Sequence, residues 1–201
     1  HASVYKDKFG RLILKRQDAP TSGYYDTYYV YDNIGNIVYI VPPKAIAKMG
    51  GTFNTSSTPE LIYQFWYDHK NRIVQKKVPG AKEVYIVYDP LDRVVLTQDG
   101  AMRSSSGTAW AYIKYDNANR VIIQGIYTHG STLSQSGMQS YVDGQSCYQS
   151  SSTAYYEKRE TGTLSGYSNQ CFPTGSTEER GYNYFDNYDF DFDGNADYNK
   201  Q

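Results

Sequence analysis

Residues 88–95 read Tyr88-Asp89-Pro90-Leu91-Asp92-Arg93-Val94-Val95, and the chain repeats this pattern. Each copy has Tyr-Asp, two variable residues, then Gly, Asn or Asp, then Arg or Asn, and finally two β-branched residues. Three further copies begin at Tyr31, Tyr67 and Tyr115, and a copy without its Tyr begins at Asp7. Internal repeats determine the architecture of a chain before any single residue does. The pattern therefore predicts a surface built from similar β units rather than one catalytic pocket.

Each copy predicts the turn of a β-hairpin. The Asp after the Tyr can accept hydrogen bonds from backbone N–H groups two residues on, which favours a turn. The slot three residues after that Asp holds only types that tolerate a positive φ, so we expect a left-handed residue closing a type I turn. These slot residues are Gly10, Gly35, Asn71, Asp92 and Asn119. We assign a structural role in the turns to Tyr31, Asp32, Gly35, Tyr67, Asp68, Asn71, Arg72, Tyr88, Asp89, Asp92, Arg93, Tyr115, Asp116, Asn119 and Arg120.

The segments beside the turns are rich in aromatic and β-branched residues, which favour strands. Residues two apart in a strand share one face of the sheet, so Tyr29 lies on the same face as Tyr31, and Ile113 on the same face as Tyr115. Such pairs would form an aromatic and aliphatic ladder across neighbouring hairpins. We expect this ladder to serve the core first and a binding face second.

The spacing of the repeats predicts the fold class. The repeat Asp residues stand at positions 7, 32, 68, 89 and 116, so the intervals are 25, 36, 21 and 27 residues. Such irregular spacing favours hairpins with loops of variable length over a strict solenoid. We therefore predict an all-β fold, in which antiparallel β-hairpin repeats form one continuous twisted sheet. One short helix is expected over residues 42–51, with Pro at its start and Gly at its end.

Composition divides the chain into three segments within a predicted single domain, 1–201. Repeat hairpins occupy residues 1–127, and a Ser/Gly-rich covering segment follows over 128–181. Residues 182–201 form a degenerate repeat and tail, in which Phe185-Asp186 replaces Tyr-Asp.

Charge and residue usage limit the classes of partner. The net charge is −1, so no overall field would attract nucleic acid. No apolar run approaches the roughly 20 residues of a membrane span. The 23 Tyr, together with many Gly, Ser and Asn residues, suggest an extracellular or cell-surface β protein. Cys147 and Cys171 stand 24 residues apart, a spacing that allows either a disulfide or two free thiols.

Catalytic and metal-binding motifs are poor, so we expect no enzyme activity and no cofactor. The three histidines are isolated in sequence, and neither a phosphate-binding loop nor a nucleophile motif occurs. The strongest metal-like string contains Asp189, Asp191 and Asp193, which resemble the front half of a calcium loop. The twelfth position of that loop holds Lys200 instead of a bidentate Glu, so we predict no metal site.

The repeated Tyr-Asp-x-x-Gly-Arg pattern resembles the YD repeats of the RHS family. The residues that carry the resemblance include Asp26 to Asp32, Tyr85 to Asp89 with Asp92-Arg93, and the tail from Tyr184 to Phe190. They look like the version found in Bacteroidetes-type cell-surface RHS proteins. The resemblance implies a large secreted or surface protein, in which many hairpins coil into a hollow shell that can enclose a C-terminal toxin. Related repeats are linked to carbohydrate binding and cell contact.

Three functional hypotheses follow. The first is a non-enzymatic structural segment of an extracellular RHS/YD-repeat protein involved in cell contact or toxin delivery; its partners would be the rest of that protein or a toxin cargo. About five repeats are too few to close a shell, which favours a fragment or short relative. The second is a carbohydrate-binding module for cell-surface glycan, using Trp66, Trp110 and Tyr127. The third is a glycoside hydrolase, whose carboxylate pair would be spatial and not visible in sequence.

Overall fold

The computed structural model describes residues 1–50, 52–149 and 155–185. Their eleven strands form an antiparallel sheet in which every strand neighbours the previous one in chain order. This arrangement confirms the predicted all-β class and its consecutive hairpins. The chain divides into two compact units, His1–Tyr85 and Ile86–Gln201. The predicted single domain stays a prediction, and each unit is described by itself.

The first unit consists of hairpins with one helix packed on a sheet face. Helix α1 spans Pro43–Met49, with Pro at its first turn and Gly50 in the left-handed region at its end. It lies where the sequence predicted a helix. Val41, Ala45 and Ile62 form the buried core beside it. The strands of this unit are β1 (Ala2–Lys6), β2 (Leu12–Asp18), β3 (Tyr24–Tyr31), β4 (Ile37–Val41), β5 (Tyr63–Tyr67), β6 (Ile73–Lys77) and the start of β7 (Val84–Tyr88).

The second unit combines a sheet with a helical and irregular layer. Its remaining strands are β8 (Val94–Gln98), β9 (Ala109–Tyr115), β10 (Val121–Thr128) and β11 (Thr177–Tyr182). Its helices are α2 (Gly100–Ser105), α3 (Gln135–Asp143) and α4 (Ser146–Gln149). The buried core includes Trp110, Tyr112, Ile123, Met138 and Phe172.

The prediction of one short helix was wrong, because the described residues contain three more. Asp99 begins α2 by accepting a hydrogen bond from Met102 N, and Ser134 begins α3 by accepting one from Gly137 N. These are ordinary N-cap interactions. The Ser- and Gly-rich composition masked α3 and α4, since residues such as Ser and Gly have low helix propensity. Burial of Met138 and Val142 on α3 outweighs that propensity.

The aromatic ladder was predicted to serve the core first, but in the second unit the opposite face of the sheet forms the core. Along β9 the side chains of Trp110, Tyr112 and Lys114 are buried, whereas Ile113 and Tyr115 are only half-buried. Ile113 and Tyr115 do share a face, as alternation requires. In this unit the core therefore uses the face opposite the repeat Tyr.

Among the residues that the structure describes, none of the helices has the length and apolar character of a membrane-spanning helix.

Candidate functional site

The repeat turns are held by one Asp carboxylate each. In the turn after β9, Asp116 Oδ1 accepts hydrogen bonds from the backbone N–H groups of Ala118 and Arg120, both at 2.9 Å. Its Oδ2 accepts a third from Arg120 Nε at 2.6 Å. The same three bonds recur from Asp7, Asp68 and Asp89. The repeat Asp of these four turns is therefore bonded to its own turn and to the Arg four residues later.

The slot three residues after each Asp is left-handed in all five turns. Its φ values are 81° at Gly10, 101° at Gly35, 62° at Asn71, 62° at Asp92 and 60° at Asn119. This confirms the prediction made from residue type. Asn and Asp also add side-chain contacts that Gly lacks. For example, Asn119 Oδ1 accepts a hydrogen bond from Arg93 Nη1 of the preceding hairpin at 2.8 Å.

We expect the stability of the chain to depend on which residue type occupies the left-handed slot. Changing Asn119 to Val should cost about 1–2 kcal/mol of unfolding free energy from the left-handed backbone alone, in addition to the bond with Arg93. Changing Asn119 to Gly keeps the backbone unstrained and should cost less. Urea denaturation of both variants measures the difference. Equal losses for Val and Gly would show that the left-handed conformation contributes nothing.

Three of the repeat Tyr residues bind their hairpin to the preceding one. The hydroxyl groups of Tyr31, Tyr67 and Tyr115 donate to the carbonyl oxygens of the first strand residue after the preceding turn. These bonds are Tyr31 to Leu12 at 2.9 Å, Tyr67 to Ile37 at 2.8 Å and Tyr115 to Val94 at 2.7 Å. We call the Asp, the Arg or Asn four residues after it, and the next Tyr a clasp.

In two clasps the Arg also contacts the ring of the next Tyr. The guanidinium carbon of Arg11 lies 4.7 Å from the ring centre of Tyr31, and that of Arg93 lies 4.6 Å from that of Tyr115. Such cation–π contacts stabilise by about 0.5–2 kcal/mol, depending on desolvation. These two clasps are therefore directional, because one hairpin supplies the Arg and the carbonyl and the next supplies the Tyr.

The degenerate sixth repeat keeps half of this arrangement. Phe185 stands in the Tyr position, and its ring centre lies 4.6 Å from the Arg120 guanidinium. Phe185 has no hydroxyl group, and the carbonyl oxygen of Val121 instead accepts a hydrogen bond from Asn183 Nδ2 at 3.0 Å. The described residues end at Phe185, so the rest of this repeat lies outside them.

Hydrogen bonds lower the pKa values of the Asp26 and Asp116 carboxylates. Arg16 donates two bonds to Asp26, which lowers the pKa of Asp26 from 3.8, although burial opposes the shift. At Asp116 burial acts to raise the pKa, but the bonds from Arg120 and Ala118 outweigh it and the pKa is lowered from 3.8. These carboxylates thus hold their protons less tightly in the folded than in the unfolded chain.

The shifts predict acid sensitivity with a defined sign. A lowered carboxylate pKa contributes stability that is present above the unfolded value of 3.8 and is lost as pH falls through the folded pKa. Unfolding free energies from urea titrations at about pH 6 down to about pH 2 should therefore fall only at the acid end. The Asp116→Asn variant should show a shallower fall. A wild-type curve that stays flat to about pH 2 would contradict this account.

The second unit contains a buried ion pair that was not predicted from the sequence. Lys114 Nζ lies 2.8 Å from Glu157 Oε1, and the two side chains are only 4% and 1% exposed. Burial lowers the pKa of Lys114 below its usual range, although Glu157 opposes the shift. The position of Lys114 did indicate burial, because Trp110, Tyr112 and Lys114 are each two residues apart and so share one face of β9. Nothing in the sequence pointed to Glu157, which lies 43 residues away.

The predicted glycan-binding aromatics lie in different environments. Trp110 is fully buried and Tyr127 is 5% exposed, so neither presents a ring face for a sugar. The reason is that both lie on the sheet face that the second unit uses for its core. Trp66 is 37% exposed.

Cys147 and Cys171 form a disulfide with a Cα–Cα distance of 5.3 Å, which resolves the alternatives left open by their spacing. The calcium candidates Asp189, Asp191 and Asp193 lie outside the described residues. Among the described residues, no three His, Cys, Asp or Glu side chains are grouped as a metal site.

The first unit contains a hollow beside α1. It has a volume of about 650 Å³, and exposed Tyr24 and Tyr25 line it together with Asp26 and Lys44. One face of the Tyr24 ring contacts Arg16, whose guanidinium carbon lies 4.5 Å from the ring centre. Sequence reasoning missed this hollow because it depends on how α1 packs beside β3.

Comparison of the sequence with protein-family models and with curated proteins gives no match. Solved structures that resemble the fold include a TcdB2-TccC3-TEV crystal structure, at 13% identity and a TM-score of 0.45. The Photorhabdus luminescens Tc holotoxin pore is similar at 14% identity and a TM-score of 0.45. TcdB2-TccC3 without its hypervariable C-terminal region has the same values. Each alignment covers 66% of this chain and only 6% of the other. Similarity at this level does not assign a family.

Proposed function

We propose that the chain is a non-enzymatic structural segment of an extracellular RHS/YD-repeat protein involved in cell contact or toxin delivery. The observation that carries the proposal is the clasp, because the repeat residues are engaged in turn and inter-hairpin bonds. A catalytic reading of Asp89 or Asp116 would need a free carboxylate, whereas both accept three hydrogen bonds within their own turns.

Two further observations support this assignment. Each clasp joins one hairpin to the next, so the same unit can be added repeatedly to extend a sheet. The disulfide between Cys147 and Cys171 suits an oxidising, extracellular environment. The partner in this proposal is the remainder of a larger repeat protein or the cargo that it encloses.

The size of the native product tests the proposal. An antibody raised against this chain should detect a band far larger than 22.9 kDa in the source cells and their medium. Peptide mass spectrometry of that band should find further Tyr-Asp repeats. A dominant band near 22.9 kDa would refute the assignment to a larger repeat protein.

A second candidate function is glycan binding at the hollow beside α1. Tyr24 is 61% exposed and Tyr25 49% exposed, and aromatic rings offer stacking surfaces to sugars. Asp26 and Lys44 supply hydrogen-bonding groups at the same place. This site replaces the buried Trp110 and Tyr127 in the carbohydrate hypothesis.

Affinity electrophoresis in gels containing laminarin, mannan or polygalacturonate tests this second function. A glycan-binding chain should be retarded in at least one gel, and Tyr24→Ala should abolish the retardation. Phe9→Ala is the matched control, because Phe9 is 71% exposed but lies in a repeat turn away from the hollow. Unretarded migration in all three gels, or equal effects of both variants, would exclude the proposed site for these glycans.

A further inference from the structure

Residues 155–173, here called the strap, are bonded to the hairpins of the second unit. Near the start of the strap, Glu157 N donates to the carbonyl oxygen of Tyr115 at 2.8 Å. The carbonyl oxygen of Tyr155 accepts a hydrogen bond from Arg93, the Arg of a clasp. Within the strap, Ser168 N donates to the carbonyl oxygen of Lys158 at 2.8 Å. The strap is therefore a folded loop attached to the sheet at its first residues.

The far end of the strap is bonded to the buried ion pair. Lys114 Nζ donates to Glu157 Oε1 and to the carbonyl oxygen of Cys171, each at 2.8 Å. Glu157 Oε1 also accepts from Cys171 N at 3.0 Å, and its Oε2 accepts from Gln170 N at 2.8 Å. The backbone of Cys171 thus contacts both charges, while its sulfur is bonded to Cys147 of α4.

The strap contributes few apolar side chains for the number of polar bonds that it makes. Tyr167 and Phe172 are its large buried apolar side chains, at 2% and 5% exposure. The sheet of this unit has its own core, to which Leu96, Trp110 and Ile123 belong. Segments with little apolar burial open at a lower free energy than the core of the same protein. Loss of one covalent restraint should therefore affect the strap before the sheet.

We propose that the Cys147–Cys171 disulfide is a redox latch, whose reduction releases the strap while the sheet of the second unit stays folded. In oxidising surroundings the strap covers the ion pair and the adjacent core. A dithiol reductant supplies the two electrons and is oxidised to a cyclic disulfide. Release then exposes Lys114 on β9 and separates it from Glu157 and Phe172, which leave with the strap.

The contacts of the two sulfurs favour one of them as the atom that the reductant attacks and the other as the leaving group. Phe172 N donates a hydrogen bond to Cys147 Sγ at 3.3 Å, and such a donor stabilises a thiolate. The sulfur that leaves more readily is the one with the lower thiol pKa. The reductant thiolate therefore attacks Cys171 Sγ, and Cys147 leaves as the thiolate. The second reductant thiol then loses its proton to water and attacks the reductant sulfur of the mixed disulfide, so that Cys171 leaves as a thiolate. The two cysteine thiolates take up from water the two protons that the dithiol released.

Amide hydrogen exchange, followed by mass spectrometry with and without dithiothreitol, tests the latch on the full chain. Loop-closure estimates for a disulfide of this span correspond to roughly a hundredfold change in an opening equilibrium. Peptides covering Glu157 to Phe172 should therefore exchange about a hundredfold faster after reduction, whereas those covering β9 and β10 should keep their protection. Alkylation with iodoacetamide, read by mass, confirms that both cysteines are reduced.

Two controls keep the test decisive. A Cys147→Ser/Cys171→Ser variant should exchange rapidly in the strap with or without reductant. Incubation with glutathione should give a mixed disulfide located on Cys171. The proposal fails if strap exchange is unchanged in the fully reduced chain, or if β9 and β10 lose protection together with the strap. A mixed disulfide on Cys147 would overturn the direction of exchange.

Discussion

Replacing Asp89 by Ala should remove about 3–5 kcal/mol of unfolding free energy, the range found when one partner of a buried pair is deleted. The Asp89 side chain is 0% exposed and its partner Arg93 is 11% exposed. Arg93 would keep its bonds to Asn119 and to the carbonyl oxygen of Tyr155, but its charge would lose its counter-ion. The turn would also lose the acceptor for two backbone N–H groups.

Urea denaturation followed by far-UV circular dichroism measures this loss. Asp7→Ala is the matched control, because Asp7 makes the same three bonds in a more exposed turn. We expect the control to lose much less stability than Asp89→Ala. Similar losses for the two variants would mean that burial of the clasp in the second unit adds nothing.

Replacing Lys114 by Met should destabilise the chain by about 3–5 kcal/mol, because Glu157 would remain buried as an unpaired carboxylate. Glu157→Gln should also destabilise, since Lys114 would keep Asn169 Oδ1 and the carbonyl oxygen of Cys171 but lose its counter-ion. The double variant should lose less than the sum of the two single changes, because no unpaired charge remains. Guanidinium denaturation of the four proteins measures this coupling.

Additive losses from Lys114→Met and Glu157→Gln would contradict the ion-pair account. Lys48 and Glu60 provide a matched surface pair, with an Nζ–Oε1 distance of 2.6 Å and side chains about half exposed. Surface pairs contribute about 0–1 kcal/mol, so the same cycle at Lys48 and Glu60 should give little coupling. The comparison separates the effect of burial from that of charge pairing.

The local chemistry of the turns could be predicted from sequence, because each turn is determined by residues within five positions. Asp was assigned as the acceptor and the residue three positions later as left-handed, and both features are present at Asp116 and Asn119. The all-β class follows from repetition of this unit. Such predictions succeed because turn geometry depends on short-range sterics and hydrogen bonds.

Long-range features could not be predicted in the same way. The pairing of Lys114 with Glu157 depends on how the strap crosses the sheet, and β9 alone does not indicate a partner 43 residues away. The sheet face that forms the core of the second unit was also misassigned, since Tyr115 and Trp110 are both aromatic and alternation does not say which face is covered. Helix α3 was missed because burial of Met138 outweighs a weak local propensity.

A double-mutant cycle between Arg93 and Tyr115 most directly tests whether the repeats link successive hairpins. The cycle compares wild type, Arg93→Met, Tyr115→Leu and the double variant by their unfolding free energies. The loss of the Asp89 partner occurs in both legs that change Arg93, so it cancels. The clasp predicts a favourable coupling of about 0.5–2 kcal/mol between these residues of adjacent hairpins. A coupling of zero would contradict the central claim that the repeated residues join one hairpin to the next.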